Sequence, residues 1–218
     1  DTPFARILSD QKNYNSTGIV TPEKLYKNAL KLYKEQKFIE TLEEIELLTV
    51  MASGKKLEPK ISLLKANSLA RLHGIQTWQE SLMEVATTFS AFEEGIYAKG
   101  LINQIEKLNN LEDTGVVYNN YKWIFPFKEL EREKTEIFFN SLKEVLAKHN
   151  KRWTLSIDTY NKDYIFVVVH GIRDPKNIEM CKAKMQFKSS NLLKEHNFVA
   201  LTSQYQDYLK NKTWKNKL

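Results

Sequence analysis

The sequence predicts an α+β protein, with helices in its first half and a small antiparallel sheet in its second half. Apolar residues recur at helical spacing between residues 21 and 110. Residues 153–172 predict two strands joined by a turn, because apolar and polar residues alternate up to Thr159 and residues 164–169 form an unbroken β-branched and aromatic run. Such a run is typical of a central strand with both faces covered.

The composition is that of an ordinary globular protein. With 218 residues, 42% of them hydrophobic and 28% charged, the chain is long enough for one large domain or two small ones. It has no apolar run of the roughly 20 residues that a membrane-spanning helix needs. It begins at Asp1 without a leader pattern, so we expect a processed protein or a fragment of a longer one. The single cysteine, Cys181, excludes an internal disulfide and argues against a cysteine-based zinc site.

The net charge of +6 belongs to the second half. Residues 1–110 contain 14 basic and 14 acidic residues, whereas residues 111–218 contain 19 and 13. This asymmetry is typical of domains that contact nucleic acid, an anionic envelope surface or an acidic protein, and it also occurs in domains whose charge only keeps them soluble.

The first half predicts an irregular lead-in or linker over residues 1–20 and then helices. Thr21 is suited to cap the first helix and Pro22 to open it. The predicted core faces of the five helices are, in order, Leu25, Ala29, Leu32 and Tyr33; Ile39, Leu42, Ile45, Leu48 and Met51; Ile61, Leu64, Ser68 and Leu69; Trp78, Leu82, Val85 and Phe89; and Phe92, Tyr97, Leu101, Ile105 and Leu108.

The helical pattern repeats. Ala29 aligns with Ala66 at a spacing of 37 residues, close to the roughly 34 of the tetratricopeptide repeat. Small residues are expected where two helices of a pair approach closely. Residues 21–110 therefore predict two tetratricopeptide-like hairpins and a capping helix, with a plain helical bundle as the alternative.

Residues 111–120 predict a linker, and residues 121–218 a basic domain. A strand over 121–127 precedes an amphipathic helix over 133–149, and the hairpin of strands follows. A helix starting at Asp174-Pro175, a strand over 196–201 and a terminal helix on Tyr205, Tyr208 and Leu209 complete it. The order β-α-β-β-α-β-α predicts a ferredoxin-like fold.

No pattern of catalytic residues, metal ligands or cofactor-binding glycines is present, so we expect neither an enzyme nor a cofactor. His170-Gly171 follows a strand, but no recognisable nucleophile or acid motif accompanies it. An RNA-recognition module shares the predicted strand order, yet its Lys/Arg-Gly and inner-glycine pattern is missing from the run beginning at Tyr164. We therefore expect no nucleic-acid partner.

Two groups of residues are candidates for partner binding. Lys210, Lys212 and Lys215 flank Trp214 near the end of the chain, which favours contact with an acidic partner or with phospholipid head groups. The alternative is that these lysines belong to a solvated helix end, where the helix dipole favours positive charge. Tyr26 is a candidate for a peptide-binding groove on the helical repeats, with a core position as the alternative.

Four stretches together resemble a known family: Phe4–Asp10 leading into a tetratricopeptide pair, the strand Tyr121–Phe127, the hairpin Trp153–Gly171 and the ending Phe198–Lys210. In their order they are similar to the C-terminal part of the SprE/PorW family, lipoproteins of the type IX secretion system and of gliding motility. The resemblance covers nearly the whole chain.

The resemblance implies a non-enzymatic periplasmic scaffold. Its partners would be the outer-membrane translocon and the periplasmic ring and motor components, with membrane contact only through a lipid anchor that this chain lacks. A peptidoglycan-binding or other anionic-polymer-binding envelope protein is the alternative, because small glycan-binding domains use a similar sheet.

Overall fold

A computed structural model describes residues 21–110, 120–149, 152–185 and 190–214 of the chain. Within these ranges the protein is α+β, with helices first and a four-stranded antiparallel sheet after them, as the sequence predicts. The predicted lead-in, residues 1–20, lies outside the described residues, and so does the predicted linker, residues 111–120, apart from Asn120.

The helical half begins as predicted. Thr21 Oγ1 accepts a hydrogen bond from the Lys24 N–H at 3.3 Å, and Pro22 takes the first helical position, where a missing N–H is no loss. The helices of this half are α1 (Pro22–Lys34), α2 (Phe38–Ala52), α3 (Glu58–His73), α4 (Ile75–Thr88) and α5 (Glu93–Asn110).

Each of these helices packs against the next, and α3 also contacts α1 and α5. One apolar core lies between α1, α2 and α3, and a second lies between α3, α4 and α5. Ala29 and Ala66, the small residues predicted at close helix contacts, are both buried in these cores. The predicted faces of α3 and α4 lie in the cores too, with Ile61 and Leu82 fully buried.

The predicted core face of α2 is wrong in part. The buried residues of this helix are Phe38, Thr41, Ile45, Leu48 and Ala52. Ile39 and Met51, which were predicted on this face, are exposed. Phe38 packs edge-on against Tyr33 of α1, with ring centroids 5.3 Å apart, so the buried face begins one residue earlier than the periodicity predicts.

The sheet consists of β1 (Tyr121–Lys128), β2 (Thr154–Thr159), β3 (Tyr164–Ile172) and β4 (Phe198–Leu201). Its order is β2-β3-β1-β4, and all neighbours are antiparallel. The prediction that residues 164–169 form a central strand is confirmed. β1 pairs with β4 only through residues 121–124, and Pro126 lies beyond this part of the strand. The absence of an N–H at Pro126 therefore removes no hydrogen bond to β4.

Helices cover both faces of the sheet. The remaining helices are α6 (Arg132–His149), α7 (Lys176–Met185) and α8 (Thr202–Asn211). Phe138 of α6 and Ile178 of α7 pack with Val167 on one face, while Tyr205 of α8 packs with Phe166 on the other. The described part of the chain therefore leaves no open sheet face that presents aromatic residues to a ligand.

The turn between α1 and α2 binds the edge of the sheet through Gln36. Its Nε2 donates to the Ile157 carbonyl oxygen at 2.8 Å, and its Oε1 accepts from the Thr159 N–H at 3.1 Å. The side chain thus takes the place that a further strand would occupy beside β2. Gln36 has a left-handed φ of 58°, an unusual conformation for a residue with a Cβ.

A second contact joins the end of α3 to the end of α8. Lys212 Nζ donates to the Arg71 carbonyl oxygen at 2.8 Å and also to the Tyr160 carbonyl oxygen. Gly74, with φ of 97°, approaches the backbone of Lys210 so closely that a Cβ would lie 2.6 Å from its carbonyl oxygen. The helical half and the sheet half are therefore packed directly on each other.

Candidate functional site

Large apolar side chains are exposed at the start of α5. Phe92, Ile96 and Tyr97 are 45%, 65% and 57% exposed. Ile96 lies one helical turn beyond Phe92, and Gly100 lies one turn beyond Ile96, so these residues are neighbours on the helix surface. We call Phe92, Ile96, Tyr97 and Gly100 the α5 surface.

The opposite side of α5 forms the second core. Ala98 and Ile105 are buried there, and Leu101 and Ile102 pack against them. The helix is therefore apolar on its buried side and, near its start, on its exposed side as well. Exposed apolar groups of this kind, beyond scattered single residues, are typical of protein–protein contact sites.

Two glycines of α5 differ in what surrounds them. A Cβ on Gly95 would lie 2.0 Å from the Phe89 carbonyl oxygen, so Gly95 is needed for the packing of α5 on the end of α4. A Cβ on Gly100 would meet nothing within 4 Å. Glycine inside a helix costs about 1 kcal/mol relative to alanine, and among the described residues no packing offsets that cost at Gly100. Gly100 is thus a position where another backbone can approach closely.

Tyr26 is on α1, within range of the charge of Glu94 on α5. Its ring packs partly into the first core, beside α1 and α2. Burial raises the pKa of the Tyr26 hydroxyl, and the negative charge of Glu94 on α5 raises it further. The residue is half-buried, so it contributes to the core and keeps part of its side chain at the surface.

The candidates near the end of the chain do not form one exposed group. Lys210 is exposed, whereas Lys212 is partly buried and its ammonium group binds two backbone carbonyls. Burial, with the nearby positive charge of Arg71, lowers the pKa of Lys212 to about 8. Lys215 lies outside the described residues.

Trp214 is 3% exposed and belongs to the core between the sheet and α8. Its ring meets those of Tyr164 and Phe166 edge-on, with centroids 5.2 and 5.0 Å away, and the backbone N–H of Trp214 donates to the Tyr160 hydroxyl at 3.1 Å. The expectation of a tryptophan presented between lysines is corrected: Trp214 closes the second face of the sheet, and a partner would reach it only by displacing it from the core.

A polar network on the α8 side of the sheet was not predicted. Lys122 Nζ lies 2.8 Å from His170 Nδ1, and Ser156 Oγ lies 2.7 Å from His170 Nε2. Beside them, the Tyr205 hydroxyl donates to Asp158 Oδ2. No partner of His170 is evident from its neighbours in the sequence, because Lys122 and Ser156 reach it only across neighbouring strands.

The protonation state of His170 argues against a role for Ser156 as a catalytic nucleophile. Burial lowers the pKa of His170, and the charge of Lys122 lowers it further, so the ring is neutral at pH 7. An ammonium group can only donate, so we assign Nδ1 as the acceptor from Lys122 and Nε2–H as the donor to Ser156. In this tautomer the imidazole cannot remove the proton of Ser156, as a catalytic base must.

Two further features are absent from the part of the chain that the structure describes. It contains no cluster of three or more histidine, cysteine or acidic side chains arranged to hold a metal ion. None of its helices combines the length and apolar character needed to cross a bilayer.

The α5 surface itself was missed by sequence reasoning. Phe92 and Tyr97 were assigned to the core face of α5, together with Leu101 and Ile105, but only the last two lie there. The residues around Ile96 are apolar in several helical directions, so the periodicity does not select one face. A signal was present in Gly100, a glycine inside a predicted helix.

The chain matches no protein-family model, no curated protein and no solved structure.

Proposed function

We propose that this protein is a non-enzymatic scaffold of the type IX secretion system and of gliding motility. In this proposal it is a periplasmic protein, associated with the outer membrane in its full-length form, that links the outer-membrane translocon to ring and motor components. The observation that carries the proposal is the α5 surface, where Phe92, Ile96 and Tyr97 are exposed around a glycine with open space above it.

The proposed finer fold, tetratricopeptide-like hairpins followed by a ferredoxin-like domain, suits a scaffold. In tetratricopeptide arrays the first helices of successive hairpins lie side by side, and the contacts of α3 with α1 and α5 support this part of the proposal. Such arrays bind proteins along their surfaces. The strand order β2-β3-β1-β4, with α6 and α7 on one face, is the order of the ferredoxin-like split βαβ fold.

The contacts between the two halves also favour a scaffold. A protein that connects two partners must keep its binding surfaces at a fixed separation. Gln36 and Lys212 each bind backbone groups of the other half, so the helical half is held against the sheet at two places. The alternative, a glycan-binding sheet, would use an open sheet face, and helices cover both faces within the described residues.

The test is capture of secretion-system components from the envelope of the source organism. The wild-type chain is immobilised and compared with Ile96→Asp, and Val50→Asp serves as the matched control because Val50 is an apolar residue of α2, outside the α5 surface, that is 75% exposed. We expect translocon or ring components to bind the wild type and Val50→Asp, and to be lost with Ile96→Asp. Because the contact is apolar, it is expected to persist at high salt.

Two results would count against the proposal. The first is recovery of no component of the secretion system by the wild-type chain. The second is equal recovery by Ile96→Asp and Val50→Asp, which would separate the α5 surface from any partner contact. Recovery of glycan fragments alone would favour the anionic-polymer alternative.

A further inference from the structure

An irregularity in the strand pairing brings a lysine amine to a histidine ring. The register between β1 and β3 shifts at Lys122, so that two residues of β3, His170 and Gly171, lie opposite this one residue of β1. Gly171 has φ of 82°, which glycine adopts readily. An extra residue of this kind bends a strand and redirects its side chains, and such bulges are common beside functional sites. Here Lys122 Nζ lies 2.8 Å from His170 Nδ1.

The unprotonated nitrogen of His170 faces this amine. Its other ring nitrogen, Nε2, carries the proton and donates to Ser156 Oγ at 2.7 Å. The tautomer that prevents His170 from activating Ser156 therefore makes it a base for Lys122. Burial, with the charge of Lys122, lowers the pKa of His170, so the ring is neutral and able to accept a proton at pH 7. We call Lys122, His170 and Ser156 the lysine cluster.

The surroundings of Lys122 favour its neutral amine, which is the nucleophilic form. Burial lowers the pKa of Lys122, and the negative charge of Asp158 on β2 acts against burial to a smaller extent. The Tyr205 hydroxyl of α8 donates to the same carboxylate. On β4, Lys122 pairs with Ala200, which brings no charge to the amine. All three members of the lysine cluster are partly exposed, so the cluster is open to small molecules from the solvent.

We propose that Lys122 is a nucleophilic amine that accepts acyl groups from acyl phosphates, with His170 as its base. A bond forms between Nζ and the acyl carbon, and the bond between that carbon and the phosphate oxygen breaks. The phosphate leaves with the bonding electron pair, and the proton that the amine loses passes to His170 Nδ1. The product is an amide, which no longer carries the positive charge of the lysine.

An acyl phosphate suits this site for two reasons. It carries its own leaving group, so the reaction needs no further reactant. Its anionic phosphate is attracted to the basic second half of the chain, in which the lysine cluster lies. The inference goes beyond the proposed scaffold function, because the α5 surface belongs to the helical half.

The test is acetylation of the folded full chain by acetyl phosphate at pH 7, followed by mass spectrometry of its peptides. The rate at Lys122 is compared with the rate at Lys162, an exposed lysine in the turn of the hairpin. We expect Lys122 to react at least about tenfold faster, because a positioned base and a desolvated amine both raise the rate. In guanidinium chloride, which removes the fold, the two rates are expected to become similar.

Matched variants separate the base from its surroundings. His170→Gln keeps an acceptor for the Lys122 ammonium group but cannot take up its proton. It is expected to bring the rate at Lys122 close to that at Lys162 and to leave the rate at Lys162 unchanged. Ser156→Ala retains the base and is expected to keep most of the advantage of Lys122. If His170→Gln does not fold, the pH profile of the wild type decides. Because the pKa of Lys122 is lowered, its rate is expected to level off below the ordinary lysine value of about 10.4.

Several results would overturn the proposal. These are acetylation of Lys122 that is no faster than that of Lys162 in the folded wild type, an unchanged rate at Lys122 in His170→Gln, and a pH profile that levels off only at the ordinary lysine value. Acetylation of Ser156 instead would show the opposite tautomer and would also overturn it, and hydroxylamine recognises this product because it cleaves the ester but not the amide. Capture by the α5 surface is measured separately, so either proposal can fail without the other.

Discussion

The ammonium nitrogen of Lys212 lies 2.8 Å from the carbonyl oxygen of Arg71, at the point where the end of α8 meets the end of α3. The carbonyl end of a helix carries partial negative charge, which suits a lysine donor. The same nitrogen lies 5.2 Å from the centre of the Tyr160 ring. One side chain therefore binds the helical half and the sheet half together, and its own backbone adopts a left-handed φ of 56°.

The contribution of Lys212 to stability is expected to rise between pH 8 and pH 10. Its pKa is lowered to about 8 by burial and by the charge of Arg71, whereas the unfolded chain titrates near the ordinary lysine value. In this window the unfolded state binds more protons than the folded state, so the free energy of unfolding rises with pH. The slope for one proton is at most about 1.4 kcal/mol per pH unit.

Urea unfolding of the wild type, Lys212→Met and Lys162→Met across this window checks the prediction. The rise of the free energy of unfolding with pH is expected to flatten in Lys212→Met. It is expected to persist in Lys162→Met, because Lys162 is exposed. Above pH 10 the buried tyrosines act in the opposite direction. Burial and the neighbouring Asp158 raise the pKa of Tyr205, so its ionisation favours the unfolded chain there. A slope that is the same in Lys212→Met and in the wild type would contradict the assignment.

Gln36→Ala is expected to destabilise the protein by about 2–3 kcal/mol. The substitution removes two hydrogen bonds to the edge of β2 and leaves the Ile157 carbonyl and the Thr159 N–H without these partners. Gln36→Gly loses the same bonds but relieves the left-handed φ of 58°, so it is expected to be less destabilising than alanine. Chemical denaturation measures both, and equal stability of Gln36→Ala and the wild type would show that the edge contact is not made in solution.

The two glycines of α5 are expected to respond in opposite directions to alanine. Gly95→Ala places a Cβ against the Phe89 carbonyl oxygen and forces the backbone of α5 to shift, so it lowers the melting temperature. Gly100→Ala adds helix propensity in open space and is expected to stabilise the free chain by about 0.5–1 kcal/mol. If Gly100→Ala also weakens partner capture, the loss cannot be attributed to unfolding.

Lys122→Met is expected to raise the pKa of His170. The substitution removes the positive charge that, after burial, is the main cause of the low value. The pH dependence of the ring C–H signal in NMR spectra reports this pKa, with His170→Gln to assign the signal and Lys162→Met as the control. A lower or unchanged pKa in Lys122→Met would refute the network as described.

The low pKa of His170 also predicts that the stability of the protein falls on acidification. Because the pKa of His170 is lower in the folded chain than in the unfolded chain, its contribution to stability is complete above about pH 6.5. The contribution is lost as the pH falls from there through the folded value. His170→Gln is therefore expected to reduce the loss of stability on mild acidification, as measured by thermal unfolding at pH 7 and pH 5.

Trp214→Ala is expected to cost about 3–5 kcal/mol of stability, the usual range for deleting a large buried aromatic side chain. Trp214→Phe keeps an aromatic ring against Phe166 and Phe198 and is expected to cost less. Denaturation curves of both variants check the order. If Trp214→Ala is as stable as the wild type, the residue does not close the sheet, and the original expectation of a partner-binding tryptophan regains support.

Local patterns predicted the elements of this fold well. The strand pair around residues 154–172, the cap at Thr21 and the buried alanines Ala29 and Ala66 follow from alternation, capping chemistry and helical spacing, which act over a few residues. The contacts at the start of α8 do not follow from local patterns alone. The Thr202 hydroxyl donates to the Asn120 carbonyl oxygen at 2.8 Å, and the Gln204 side chain accepts from the Leu201 N–H.

The candidate sites depended on contacts that sequence spacing does not reveal. Lys122 meets His170 because β1 lies beside β3, and Ser156 meets it because β2 pairs with β3. Trp214 reads as a surface residue among lysines, yet its partners come from β3 and β4. The strand order decides all three, and no local pattern encodes it.

The hydrogen bonds of Gln36 and Lys212 have a consequence for folding. Those that cross between the two halves join positions 121 to 141 residues apart in the chain, so none of them can form until both halves have taken shape. Because of these contacts, we expect neither half to unfold independently of the other. Amide hydrogen exchange in α3 and in β2 should therefore converge on one opening free energy, as expected for a single cooperative unit.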